Sequence, residues 1–253
     1  MARARILIKK NKFASCIPLI SGNEDGLFKE AEKAIVSQVD FLEWRRDYFR
    51  PGELLSPDEE MKILKKLKNL KGSPGIIYTF RSHKEGGAYE TLDHVRLGTI
   101  GVAATIADYV DIELKSDPIF LKGVKEVLKN GGCGLILSHH QFKKTPDGKE
   151  IEEIYDAMEE QGADVLKLAV MPSSDEDIRQ LIGASLKKNE NTFKPIIAIA
   201  MGALGGITRV VPDLCGGSLT YVAGIGKTAP GQLTLETIMI LRKSMGLGKN
   251  ARP

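Results

Sequence analysis

Cysteine is scarce in this chain of 253 residues: Cys16, Cys133 and Cys215 are odd in number, far apart and in no CxxC pair. That leaves neither a disulfide framework nor a cysteine zinc site, and the three read as small buried residues. An excess of one charge is also lacking. With 36 Lys plus Arg against 33 Asp plus Glu the formal charge is +3, a balance that points to neither nucleic acid nor an anionic membrane as a partner. Long hydrophobic runs are missing too. The longest stretch without Asp, Glu, Lys or Arg, residues 195–208, has 14 residues and is rich in glycine, short of the roughly 18 or more of a membrane span. The N-terminal string MARARILIKKNK holds only three consecutive apolar residues, so it lacks the apolar region and cleavage site of a secretory signal, and a cytoplasmic location is expected. No Pro/Ser-rich linker or low-complexity tract divides the chain, so a single domain over 1–253 is expected. What remains, 42% hydrophobic and 27% charged residues, is the make-up of an ordinary globular protein.

Short β-rich apolar segments at 14–20, 41–47, 75–81, 109–114, 134–140, 164–170, 195–201 and 218–222 read as strands. Helical patterns run between them over 24–38, 56–70, 90–106, 119–129, 150–161, 175–188 and 233–244. The segment 56–70 shows why: Ser56 and Glu59 have capping-box spacing and Pro57 takes the first helical position. Ile63, Leu64, Leu67 and Leu70 then form an apolar stripe, with Lys62, Lys65, Lys66, Lys68 and Lys71 as a solvated face. Eight strands alternating with helices over about 250 residues predict the α/β class and, within it, the (β/α)₈ TIM barrel. A doubly wound sheet is the rival, but the first strand-to-helix turn reads SGNED and contains no GxGxxG, so dinucleotide binding is not expected.

A barrel gathers its chemistry at the C-terminal strand ends, and polar residues are dense there. Along a strand, residues of one parity share a face. Glu43, Arg45 and Asp47 therefore oppose Leu42, Trp44 and Arg46, and Asp111 and Glu113 oppose Val110, Ile112 and Leu114. The apolar sets suit a helix layer, leaving the charged sets for the interior, where charges must be paired or do chemistry. Lys167 interrupts the otherwise buried run VLKLAV. It is either ion-paired with a carboxylate such as Glu113 or a Schiff-base nucleophile. Free lysine, with a pKa of about 10.4, is almost wholly ammonium at pH 7, so nucleophilic attack requires burial or nearby cations. Arg45, Arg81 and Arg209 would supply the cations.

Of the four histidines, His83 and His94 read as surface or packing residues. His139 and His140 end a strand, but adjacent strand residues face opposite sides and do not readily share one ion, so no metal is expected and a single histidine acting as general acid and base is the better use. Gly134, Ile136, Ser138 and His140 share one parity, which points His140 inward. His139 falls with Leu135 and Leu137 and points outward.

Seven strings occur in one order along the chain: LEWRRDYF, YTFRSHKEGG, DIEL, SHHQFKKTP, ADVLKLAVMP, GGITR and TAPGQ. Together they make the chain, from about residue 14 to about 235, resemble type I 3-dehydroquinate dehydratase, the imine-forming enzyme of the shikimate pathway. The resemblance implies the (β/α)₈ barrel, a homodimer, no cofactor, and syn elimination of water from 3-dehydroquinate to give 3-dehydroshikimate. It implies Lys167 as the imine-forming lysine, His140 as general acid and base, and Glu85 as the residue that orients that histidine. Arg209 and Gln232 are implied as substrate-carboxylate ligands, and Glu43, Arg45 and Arg81 as holders of the ring hydroxyls and the polar network around them. Thr228 stands where many members have serine and keeps the hydroxyl needed for binding; Pro18 stands where some have serine. The loop 225–232, with glycines and Pro230, is expected to close over substrate. Two rivals stay open from the residues alone, a Schiff-base aldolase and a non-catalytic barrel that binds a polyhydroxy acid. The aldolase does not call for a Glu85 and His140 pair, and the binder gains little from a buried amine.

Overall fold

The computed structural model describes residues 5–50, 52–224, 226 and 229–248. In chain order they form β1 (Ala14–Leu19), α1 (Glu24–Val36), β2 (Phe41–Arg45), α2 (Pro57–Lys68), β3 (Gly75–Thr79), α3 (Asp93–Ala103), β4 (Tyr109–Glu113) and α4 (Pro118–Gly131). The second half continues with β5 (Gly134–Gln141), α5 (Gly148–Glu160), β6 (Val165–Val170), α6 (Asp175–Asn191), β7 (Ile196–Ala200), α7 (Gly206–Val210), β8 (Leu219–Tyr221) and α8 (Leu235–Ser244). The strands neighbour one another in the order β7-β6-β5-β4-β3-β2-β1-β8. Pairing is parallel for β2 with β3, β3 with β4, β6 with β7 and β1 with β8. Eight consecutive β/α repeats with this strand order make the fold a (β/α)₈ barrel. Every strand and helix read from the sequence is present to within a few residues, and α7 is an additional helix that periodicity does not announce.

The chain forms two compact units. One contains the described residues up to Leu7 together with Pro18–Ile136, the other Ile8–Ile17 together with the described residues from Leu137 onward. In the first, α2 starts as its sequence requires: Ser56 Oγ accepts from the Glu59 backbone N–H while the Glu59 carboxylate accepts from the Ser56 N–H, with Pro57 at the first position. Ile63, Leu64 and Leu67 are buried. Lys68 departs from the expected solvated face, because its ammonium pairs with the buried carboxylate of Asp108, which also accepts from the Ile6 and Ile76 backbone N–H groups at 2.9 and 2.7 Å. Leu70 lies beyond the end of the helix.

The parity reading of β2 holds. Trp44 packs edge-on against Tyr78 and Phe49, each at 5.6 Å between ring centres. Arg46, in the 3₁₀ turn Arg46–Tyr48, turns to α2 and pairs with Glu60 at 3.0 Å, and Tyr78 Oη donates to the same carboxylate. Burial pushes the Glu60 carboxyl above its ordinary range, although Arg46 and the tyrosine pull the other way. One boundary is corrected: Asp47 belongs to this turn and not to the strand, which ends at Arg45.

In the second unit, Leu166, Leu168 and Val170 on β6 and Ile196 and Ile197 on β7 are fully buried. Tyr155 of α5 and Ser185 of α6 share a hydrogen bond of 2.9 Å. Arg242 of α8 is buried against both oxygens of Asp213, at 2.7 and 3.0 Å, with its guanidinium over the Phe13 ring. The three cysteines are free and buried, as read from the sequence. Among the described residues no helix is long and apolar enough to cross a membrane.

Candidate active site

In the first unit the strand ends carry a buried network of opposite charges. Glu43, on β2, accepts from Thr79 Oγ1 at 2.8 Å. Arg45 grips Asp47 with two hydrogen bonds, 2.9 Å from Nε and 2.7 Å from Nη2, the side-on geometry a guanidinium and a carboxylate favour. Burial lowers the Arg45 pKa, but the bonds and charge of Asp47 outweigh it and the group ends above its ordinary value. Arg81, just past β3, pairs with Asp111 at 2.8 Å and Glu113 at 3.2 Å, and these carboxylates overcome the effect of burial and raise its pKa as well. Glu113 also accepts from Arg96 at 2.5 Å and from the Ser82 N–H at 2.7 Å. Burial pushes its pKa up, and the two arginines more than reverse that.

The loop after β3 owes its path to the glycines of RSHKEGG. Gly86 sits at φ 87°, and a Cβ on Gly87 would lie 2.2 Å from the Arg81 carbonyl oxygen, so a larger residue has no room there. The turn so made places Glu85, half-buried, at the end of the 3₁₀ segment His83–Glu85, where its charge acts on Arg81. It also lets Asp47 accept from the Ala88 N–H at 3.1 Å. His83 and His94 are exposed, in keeping with a surface role.

In the second unit, Lys167 is 4% exposed on β6, and its Nζ donates to Tyr221 Oη at 3.0 Å while lying 4.2 Å from the centre of the tyrosine ring. Glu113, named above as a possible partner of Lys167, pairs with Arg81 and Arg96 within the first unit. Arg209, 1% exposed on α7, donates to two carbonyl oxygens, Tyr221 at 3.3 Å and Pro230 at 2.9 Å. Its buried Nε has no partner, and no carboxylate neighbours it among the described residues. Burial alone therefore draws its pKa down to about 10. At neutral pH it is still a cation, one whose charge no described side chain balances.

Residues 229–232 of the string TAPGQ belong to the loop that Arg209 touches. Gly231 has φ 77°, and a Cβ there would lie 2.2 Å from the Gly202 carbonyl oxygen, while the Gly202 N–H donates to Pro230 O at 3.1 Å. Gln232 is buried, its side-chain oxygen accepting from the Ala229 N–H at 3.3 Å. Thr228, together with part of the loop 225–232, lies outside the described residues.

At the end of β5 the two histidines differ. His139 is 4% exposed, with Nε2 3.0 Å from the Gln141 side-chain nitrogen. An amide NH₂ can only donate, so Nε2 is the accepting atom in this contact. His140 is half-buried and stacks on Phe142 at 6.0 Å between ring centres. Among the described residues no three His, Cys, Asp or Glu side chains gather as a metal site.

Each unit thus brings its expected residues together: Glu43, Arg45 and Arg81 in one buried network, Lys167 and Arg209 through a shared residue. That shared residue, Tyr221, is missing from the sequence reading. An aromatic side chain at the end of a short apolar strand looks like core, and only the alternation that puts it on the same face as Leu219 hints at more.

Comparison with known proteins gives the family. The family described as Type I 3-dehydroquinase matches residues 15–248. A 3-dehydroquinate dehydratase of Clostridium kluyveri is 35% identical over 226 residues, 88% of this chain and 88% of its own. Among solved structures, the type I 3-dehydroquinate dehydratase of Clostridium difficile, with covalently modified comenic acid, superposes with a TM-score of 0.86 at 27% identity, covering 97% of this chain and 98% of its own. The 3-dehydroquinate dehydratase of Geobacillus kaustophilus HTA426 gives 0.83 at 30% identity, covering 91% of each chain.

Proposed function

Since this chain belongs to the type I 3-dehydroquinase family and is a hydro-lyase of the shikimate route, we propose that it converts 3-dehydroquinate to 3-dehydroshikimate by syn elimination of water through a Schiff base on Lys167. The observation that carries the reading is the pair of buried cations joined by one residue: Lys167 at the Tyr221 hydroxyl and Arg209 at the Tyr221 carbonyl. A substrate bearing both a carboxylate and a ketone matches that pair, the carboxylate supplying the charge that Arg209 lacks and the ketone supplying the electrophile for Lys167.

In this reading Lys167 condenses with the ring ketone, and the iminium acts as the electron sink that acidifies the adjacent C–H, so the cycle requires neither metal nor cofactor. His140 takes that proton and then assists departure of the hydroxyl, with Glu85 orienting its ring. Hydrolysis of the imine frees the lysine. Glu43, Arg45 and Arg81 hold the ring hydroxyls; the ion pairs that already bind these side chains fix their directions. Gln232 and Thr228 complete the carboxylate end, and the loop 225–232 closes over it. The whole chain acts as one catalytic domain, as a homodimer in the cytoplasm.

The direct test is to mix the protein with 3-dehydroquinate and follow the ultraviolet absorbance of the conjugated enone product. Growth of that absorbance is expected, and none from folded protein would overturn the reading. Arg209 offers a sharper test of the substrate's orientation. A buried, charge-assisted pair cut at one partner typically loses several kcal/mol, so Arg209→Ala should raise KM by ~100-fold. Arg209→Lys should recover only part of this, since an ammonium cannot bind two oxygens side by side. Unchanged KM and kcat in Arg209→Ala would mean that the carboxylate binds elsewhere.

A further inference from the structure

Arg209, which binds the substrate carboxylate in the reading above, sits inside α7, a helix of five residues. So short a helix does not hold its shape alone, and the direction of Arg209 is therefore set by whatever fixes the two ends of α7. At the first end Thr208 Oγ1 accepts from the Ala200 N–H at 3.0 Å and donates to the Gly205 carbonyl at 2.9 Å, which ties α7 to β7. At the other end the Val210 carbonyl, directly after Arg209, accepts from Arg242 Nη1 at 2.9 Å.

Arg242 comes from α8 and is fully buried. Its terminal nitrogens also donate to both Asp213 oxygens, at 2.7 and 3.0 Å, and to the Gly248 carbonyl at 3.0 Å. Asp213 lies in the turn Pro212–Leu214 that follows α7, so one guanidinium grips the segment at Val210 and again at Asp213. A buried ion pair often adds no stability over apolar side chains of the same volume. What it adds here is direction: two oxygens side by side, with the Phe13 ring 4.1 Å below, fix the plane of the guanidinium and with it the donor that holds Val210. Asp213 is also the only Asp or Glu between Glu190 and Glu236. With both of its oxygens on Arg242, it offers no counter-charge to Arg209.

We infer that Arg242 is a positioning residue for the reaction: by holding the end of α7 and occupying Asp213, it aims Arg209 at the substrate carboxylate and leaves the charge of Arg209 to the substrate. This rests on the assignment of Arg209 to that carboxylate. Arg242 acts through Arg209 alone, so its signature is a loss of substrate binding that vanishes once Arg209 is gone.

The test is a double-mutant cycle on the full chain, read as KM and kcat with 3-dehydroquinate, with folding checked by circular dichroism. Arg242→Lys keeps a cation beside Asp213, but an ammonium cannot hold both carboxylate oxygens and the Val210 carbonyl as the flat fork does. It should raise KM by at least ~10-fold, the worth of one charge-assisted hydrogen bond, with kcat within about twofold of wild type. Arg242→Met combined with Asp213→Asn removes the grip on α7 without leaving a buried charge unpaired, and should raise KM to a similar degree. In the Arg209→Ala background, adding Arg242→Lys should change kcat/KM by no more than about twofold, because the residue it acts through is absent. A role confined to stability would lower the midpoint in urea and leave KM of the folded protein unchanged, and that result with either folded variant would overturn the inference. An equal loss in both backgrounds would overturn it too, since Arg242 would then act elsewhere than on Arg209. Those outcomes leave the dehydratase reading standing. Unchanged KM in Arg209→Ala would remove the premise but not the dehydration, whereas no turnover of 3-dehydroquinate by wild type would remove the reading and this inference together.

Discussion

Lys167→Ala is expected to lose dehydratase activity by ~10⁴-fold or more, because it removes the nucleophile and with it the electron sink that makes the adjacent C–H acidic. Such a loss corresponds to ~5.5 kcal/mol of transition-state stabilisation. Lys167→Arg separates chemistry from charge. It restores a cation beside Tyr221 but cannot form an imine, so it should be as inactive as the alanine variant. Borohydride with 3-dehydroquinate should fix one ligand-sized mass on the wild-type peptide containing Lys167, and none on either variant. An arginine variant with substantial activity would mean that the lysine serves only as a buried charge. An adduct on another lysine would move the nucleophile. In the structure Glu113 pairs with Arg81 and Arg96, and the Lys167 amine meets a hydroxyl and a ring face at Tyr221.

The second large effect divides two neighbours in the chain. His140→Ala should lower kcat by ~10³-fold or more while leaving the imine on Lys167 trappable, because it removes proton transfer and not nucleophilic attack. His139→Ala should change kcat by no more than about threefold. Its cost falls on stability, ~1–2 kcal/mol for a buried ring and its hydrogen bond, read as a lower midpoint in urea. Burial alone would suggest the opposite assignment, since His139 is the more buried of the two. The expectation follows the parity of β5 instead. His139 Nε2 is taken by the Gln141 amide, whereas His140, of the other parity, lies half-exposed at the strand's end and stacks on Phe142. If His139→Ala proved the more damaging to kcat with both variants folded, the parity of β5 and the identity of the general base would fall together.

Much of this molecule is legible in its sequence, and the reason is local. Strand and helix periods depend on residues two to four apart, so the eight strands and seven of the helices can be read along the chain, down to the capping box of α2. Parity is equally local. It places Glu43 and Arg45 on one face of β2 and Trp44 on the other, and the structure bears this out through Thr79 on one side and Tyr78 and Phe49 on the other. A lysine inside an apolar strand marks Lys167 without any partner being known.

What escapes the sequence depends on partners brought from far along the chain. Helix α7 has five residues, too few for a period to show. Arg46 carries a charge in a face otherwise read as apolar, and only the approach of Glu60 from α2 explains its burial. Lys68 looks like one more solvated lysine until Asp108 meets it. Tyr221 lies 54 residues from Lys167, and nothing in its own strand distinguishes a core aromatic from one whose hydroxyl meets an amine. Arg209 is the clearest case. Its identity and motif are visible in the chain, but that its charge is buried without a carboxylate beside it is decided by which side chains the fold brings near it and which it keeps away. Local spacing determines the elements and their faces; the pairing of charges, and therefore which of them remain available to a substrate, is set only when distant segments pack.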